Sequence, residues 1–201
     1  MVNLNVDYLA CCNEITRLLT LQTNISSIAP TYRKIVAEII IIRLFDILQD
    51  SISSIACKVI CGANYQDGST PILLGSARNM QAATFKMIHY GRRKPRPYLR
   101  WSKIQDIKEN VRYLINPTDH FIRTLDNHGY LIEEMRRIRN RVAHNNTLTR
   151  NQYQEMVLRH YGAYLNAITP GTLLLSPRRK PMLVLQYLEK SRILFKELVK
   201  A

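Results

Sequence analysis

Turn formers are scarce: only seven glycines and eight prolines occur in 201 residues, mostly at plausible breaks between periodic segments. Strand-like alternation is nearly absent, which argues against a β architecture and leaves helical periodicity as the dominant signal. Cysteines are few: Cys11, Cys12, Cys57 and Cys61. None makes a C-x-x-C pair and no histidine stands at zinc-finger spacing, so buried free thiols in a reducing cytoplasm are expected. No apolar run is long enough to span a bilayer; the most apolar one, Ile39 to Ile42, is bracketed by Glu38 and Arg43. Asn3, Asn5 and Asp7 interrupt the N-terminus, against a signal peptide. The patterns G-x-x-x-x-G-K, G-x-S-x-G and H-E-x-x-H are missing and no Asp/His cluster suggests a metal site, so neither metal nor cofactor is expected.

Acidic residues are also in short supply: 15 Asp and Glu face 29 Lys and Arg. A net charge of +14 and a pI near 9.9 imply an anionic partner, with nucleic acid the leading candidate. A membrane surface competes, but no basic amphipathic terminal helix or lipidation motif supports it.

What is present is one domain's worth of chain with an ordinary 46% hydrophobic content. Residues 4–22 read as a first helix with Leu4, Tyr8, Cys11, Ile15 and Leu18 facing inward. Pro30 or Thr31 opens a long helix to Ile60 or Cys61, roughly 45 Å in length. Its apolar face carries Ile35, Ile39, Ile42, Leu44, Phe45, Leu48, Ile52, Ile55, Val59 and Ile60, which suits the centre of a bundle or a face covered by a second subunit. Gly62 stops it. Residues 71–90 read as helical, with Met80, Ala83, Phe85 and Met87 as a stripe. Two prolines make the stretch from Gly91 to Trp101 a loop, and it is the most basic part of the chain. Arg92, Arg93, Lys94, Arg96 and Arg100 are candidate phosphate contacts. Tyr98 and Trp101 serve either as stacking platforms for bases or as anchors to the core. Ser102 with Gln105 reads as a capping box, Thr118 and Thr149 as helix caps, and Leu173 to Leu175 as an apolar patch in a loop. Residues 182–199 form a last amphipathic helix. The expected architecture is an all-α bundle: 1–29 as an N-terminal helical extension, 30–168 as the core, and 169–201 as a loop and C-terminal helix, in one domain.

The stretch from Ile132 to Asn146 carries the chemistry. It reads as a helix running to about Asn145. Leu131, Met135, Ile138 and Val142 recur at the spacing of a buried face and cluster within about 60°. Glu133, Arg136, Asn140 and His144 form a polar stripe opposite, with Arg139 at the boundary. Histidine can exchange a proton near neutral pH, and arginine can grip a phosphate and stabilise added negative charge. That pair suits RNA cleavage by the substrate's own 2′-hydroxyl, which needs acid–base catalysis and phosphorane stabilisation. As helical neighbours, Arg139 and His144 would stand about 140° apart, too far to converge easily on one phosphate within a protomer.

Arg139-Asn140-Arg141-Val142-Ala143-His144 matches R-N-x-x-x-H, a form of the R-x4-6-H motif, with Asn145 following. The chain therefore resembles the HEPN superfamily of helical ribonucleases and non-catalytic relatives. The late motif and the long apolar helix with Glu38 and Arg43 are similar to its RiboL-PSP-type branch. The resemblance implies a homodimer in which two motif helices face each other across a composite RNA cleft. It implies that Arg139 stabilises the phosphate, that His144 acts as acid or base or positions the phosphate, and that Asn140 orients both. Arg136 and Arg141 would be auxiliary contacts. It implies a hydrolase working as a toxin, an antiviral defence effector or a processing enzyme, or else a non-catalytic module that binds RNA or a regulatory protein. In family toxins paired with a nucleotidyltransferase antitoxin, the modified tyrosine follows the histidine by two positions; Asn146 stands there. That puts such control in doubt.

Overall fold

The computed structural model describes residues 3–144 and 146–201. These residues form the expected all-α fold: α1 (Asn5–Thr23), α2 (Pro30–Ile60), α3 (Met80–His89), α4 (Ile104–Val111), α5 (His120–Asn127), α6 (Gly129–Ala143), α7 (Thr147–Tyr161), α8 (Pro170–Leu174) and α9 (Leu183–Val199). A 3-10 turn, Asn24–Ser27, joins the first two. Among the described residues the β-pairing consists of one isolated bridge, Leu73 with Ile115. No described helix is long and apolar enough to cross a membrane.

Helix α2 is the axis. Pro30 at its first turn presets the helical φ and gives up an amide that would have had no partner. At the other end Gly62 takes a φ of 80°, its N–H donates to Val59 O and the Ala63 N–H donates to Lys58 O, so two terminal carbonyls are satisfied. Ile40, Ile41, Leu44, Leu48, Ile52, Ile55 and Val59 are fully buried, each worth roughly 1.5–3 kcal/mol relative to exposure. Helices α1, α6, α8 and α9 pack around them. The expected face is partly wrong at its N-terminal end: Ile35 and Ile39 are 50% and 54% exposed, beside an exposed Tyr32. Helix α8 docks on a different side there, where the Gly171 N–H donates to Glu38 Oε1 at 2.8 Å.

That docking needs glycine. A Cβ on Gly171 would meet Lys34 O at 2.5 Å and Lys34 Cβ at 2.7 Å. Gly171→Ala is expected to push α8 off α2 and to cost about 1–3 kcal/mol, read by urea unfolding. Leu173 and Leu174, expected in a loop patch, are instead core residues on α8, which Thr169 caps through the Thr172 N–H.

Other boundaries differ from expectation for local reasons. Residues 71–79 are not helical, because their backbone pairs with the segment after α4. The Leu74 and Gly75 N–H groups both donate to Leu114 O, and the Ile72 N–H donates to Asp119 Oδ2. Helix α3 therefore starts after Asn79, whose side chain accepts the Ala82 N–H; of its expected stripe, Ala83 and Met87 are buried and Phe85 is exposed. Ser102 makes no capping bond, and extended Lys103 precedes α4. Asp119, not Thr118, caps α5, and it also accepts the buried Tyr65 hydroxyl at 2.6 Å. All four cysteines are free; burial pushes the Cys11 thiol up to about 12, leaving it unreactive at neutral pH.

Candidate functional site

Helices α6 and α7 form an antiparallel hairpin. Leu131, Met135 and Ile138 are buried as their spacing requires, with Ile132 beside them, and Val142 is partly buried. Of the polar stripe, Arg136 is buried, Glu133 and Asn140 are half-buried, and His144 is exposed. Arg136 is buried and bidentate on Glu133, with Nε at 2.8 Å and Nη2 at 2.6 Å. Arg137 bridges the hairpin, from Glu133 on α6 to Glu155 Oε2 on α7 at 2.8 Å. Burial pushes the Glu133 carboxyl up, but the two guanidiniums outweigh it and hold it below its ordinary range. Arg136 is thus an internal ion pair and offers no free guanidinium to RNA.

The motif ends in an unexpected way. Helix α6 stops at Ala143, and His144 caps it in extended conformation, φ −134° and ψ 120°. Asn145, where the helix was expected to end, lies outside the described residues. The His144 N–H donates to Asn140 O at 2.9 Å, and His144 O accepts the Thr149 hydroxyl at 2.7 Å. Asn146, not Thr149, caps α7 by accepting the Thr149 N–H. The His144 backbone is therefore held at both sides while its imidazole is exposed. Because His144 has left the helix, the 140° separation from Arg139 does not apply.

Arg139 and Asn140 are half-buried neighbours, and Arg139 Nη1 donates to Asn140 Oδ1 at 3.4 Å. The Arg139 Nε is fully buried with no hydrogen-bond partner among the described residues. A buried guanidinium N–H left unpaired is costly, on the order of 1–3 kcal/mol. Arg141 is half-buried on the same turn, and its charge and that of Glu38 both act on the buried Tyr153 phenol.

The basic loop divides. Arg92 turns inward, with Nη1 3.2 Å from Glu109 Oε1, and Arg96 Nη1 donates to Asn110 Oδ1 at 2.7 Å. These two clamp the loop to α4. Arg100 lies over the Tyr98 ring at 5.1 Å and donates to its hydroxyl. Tyr98 remains exposed, whereas Trp101 packs against the core. Arg93 and Lys94 are exposed. A 340 Å³ cavity lies between Tyr98, Arg100 and Trp101 and the α2 residues Gln49, Asp50 and Ser53. The residues lining that cavity include none of Arg139, Asn140 and His144.

A third cluster escaped sequence reasoning. Glu134 is buried on α6 and accepts hydroxyls from Tyr130 at 2.6 Å and Tyr187 at 3.1 Å. His160 of α7 places Nε2 at 3.1 Å from Glu134 Oε1. Burial alone would push this carboxyl up; His160, Tyr130 and Tyr187 together hold it below its usual range. The signal was available: Glu134 lies three residues after Leu131 and four before Ile138, on the buried side of α6.

Comparison with family models, with curated proteins and with solved structures found no match. The functional reading therefore rests on the sequence motif and the geometry around it.

Proposed function

We propose that the chain is a HEPN-type endoribonuclease that cuts RNA by attack of the 2′-hydroxyl on the adjacent phosphate, at a site shared by two copies. The observation that carries this reading is the buried, unpartnered Arg139 Nε beside Asn140, one turn from an exposed imidazole on a fixed backbone. A phosphate oxygen would satisfy it once the atoms that cover it move aside on binding. Arg139 then neutralises the charge that builds on the phosphorane, Asn140 orients the guanidinium, and His144 exchanges the proton. Arg141 adds positive potential on the same turn, and Arg93 and Lys94 meet RNA farther out.

Exposed Tyr32, Ile35 and Ile39 support the second copy. They are spaced three and four residues apart, on one face of α2, at the end that holds Glu38. A neighbouring copy covering them would bring a second motif helix close.

One observation favours a second reading, a non-catalytic module that binds RNA or a protein partner. Nothing among the described residues hydrogen-bonds the His144 imidazole, so its tautomer is not set within one protomer. The deciding experiment incubates the pure chain with total RNA in EDTA and analyses the product ends. Cleavage leaving 2′,3′-cyclic phosphates is expected. Salt-sensitive binding without cleavage would replace the first reading by the second.

A further inference from the structure

The end of the α6–α7 hairpin remote from His144 carries its own chemistry. Glu134 and Thr149 mark the two ends: ten residues of α6 separate Glu134 from His144, roughly 15 Å. There the side chains of Glu134 and His160 are only 7% and 6% exposed. Glu134 uses both oxygens on Tyr130 and Tyr187, and His160 Nε2 stands 3.1 Å from Glu134 Oε1. Both ring nitrogens, Nδ1 and Nε2, are buried with no hydrogen-bond partner among the described residues, although Nε2 is within ion-pair distance of Glu134.

His160 lines a cavity of 190 Å³ together with Tyr161, Leu173, Ser176, Arg178 and Arg179. Arg178 lies over the Tyr161 ring at 5.4 Å. Neither arginine has a carboxylate within 4.0 Å among the described residues, in a chain where Arg92, Arg96, Arg136 and Arg137 all do. The lining thus holds two guanidiniums without a carboxylate partner, a hydroxyl and an imidazole, and no carboxylate is among the residues that line it. Such a set attracts an anion and offers several donors to one tetrahedral group. The volume is below the about 300 Å³ at which pockets for drug-sized ligands begin, so it fits a terminal group and not a whole cofactor.

We propose that this cavity binds a phosphate monoester, the 5′-phosphate of a free nucleotide or of an RNA end, between Arg178, Arg179, Ser176 and His160. The inference is independent of the cleavage reading, since none of these residues belongs to the motif. Glu134 is a positioning residue: it acts on the phosphate only through His160.

The test is calorimetric titration of the full chain at low salt. The probes are inorganic phosphate, adenosine 5′-monophosphate against adenosine, and a short RNA with a 5′-phosphate against the same RNA with a 5′-hydroxyl. One phosphate-dependent site is expected, with the phosphorylated probe favoured about tenfold or more. Preference in the mononucleotide pair identifies free nucleotide as a source; preference confined to the RNA pair identifies the RNA end. Arg178→Gln, at an exposed position, and Arg178→Gln/Arg179→Gln should lose that preference. Arg93→Gln/Lys94→Gln and His144→Ala should keep it. Equal binding of phosphorylated and hydroxyl probes would overturn the proposal. So would equal losses in the Arg178/Arg179 and Arg93/Lys94 variants, which would mark nonspecific charge attraction.

Discussion

His144→Ala is expected to lower RNA cleavage by about 10²–10⁴-fold, the range for losing a positioned acid–base group. The fold should not change, because the imidazole is exposed and the residue's structural bonds are made by its backbone, to Asn140 O and from the Thr149 hydroxyl. Unaltered circular dichroism and unfolding, alongside lost cleavage, would separate chemistry from folding. Arg139→Ala should be as damaging to cleavage, since it removes the phosphate grip, and it also removes a buried unpaired N–H, so stability should not fall in parallel. The shared site has a sharper consequence. When the two single variants are mixed and allowed to exchange subunits, the mixed dimer pairs one intact Arg139 with the intact His144 of the other copy. Activity that neither variant has alone, about a quarter of the wild-type level for statistical mixing, is then expected. No recovery on mixing would place both groups of a working site in one chain. Full cleavage by His144→Ala would remove the reaction itself.

The helical fold was readable because it rests on signals within one segment. The run from Pro30 to Gly62 contains its own start, its own stop and an apolar surface too wide to leave in water, and α2 forms with those bounds. The buried side of α6 was readable for the same reason. What could not be read depends on partners outside the segment itself. Residues 71–79 contain nothing that forbids a helix, but Leu114 O and Asp119 offer their amides better-placed acceptors. Helix α6 has no glycine or proline to end it at Ala143. It ends because Asn146 and Thr149 form the start of the next helix and draw His144 O into that cap.

The charges show the same limit. Arg92, Arg96 and Arg136 look equivalent to Arg93 and Lys94 when only composition is considered. Glu109, Asn110 and Glu133 distinguish them by taking the first three inward. A basic chain therefore overstates its own basic surface, and the guanidiniums left without carboxylates are the informative ones.

Glu134→Leu is expected to be the most destabilising substitution on the hairpin, at about 3–5 kcal/mol, because it breaks a buried pair by removing one partner. The hydroxyls of Tyr130 and Tyr187 lose their acceptor together, and the His160 imidazole loses the carboxylate 3.1 Å from its Nε2. For a chain of 201 residues this is a fall in Tm of about 10 °C. Acid should reveal the mechanism. The folded state holds the Glu134 carboxyl below its ordinary value, so its contribution is fully present above the unfolded value of about 4.3. It is lost as pH falls through that value towards the lower folded one. The gap in unfolding free energy between wild type and Glu134→Leu, from urea titrations at neutral pH and near pH 3.5, should therefore narrow in acid. Glu133 is also depressed, by Arg136 and Arg137, and keeps an acid slope in both proteins, so the difference between the two curves reports Glu134 together with the His160 it pairs with. A gap that does not change with pH would mean that Glu134 contributes shape and not charge, and that His160 is held by packing alone.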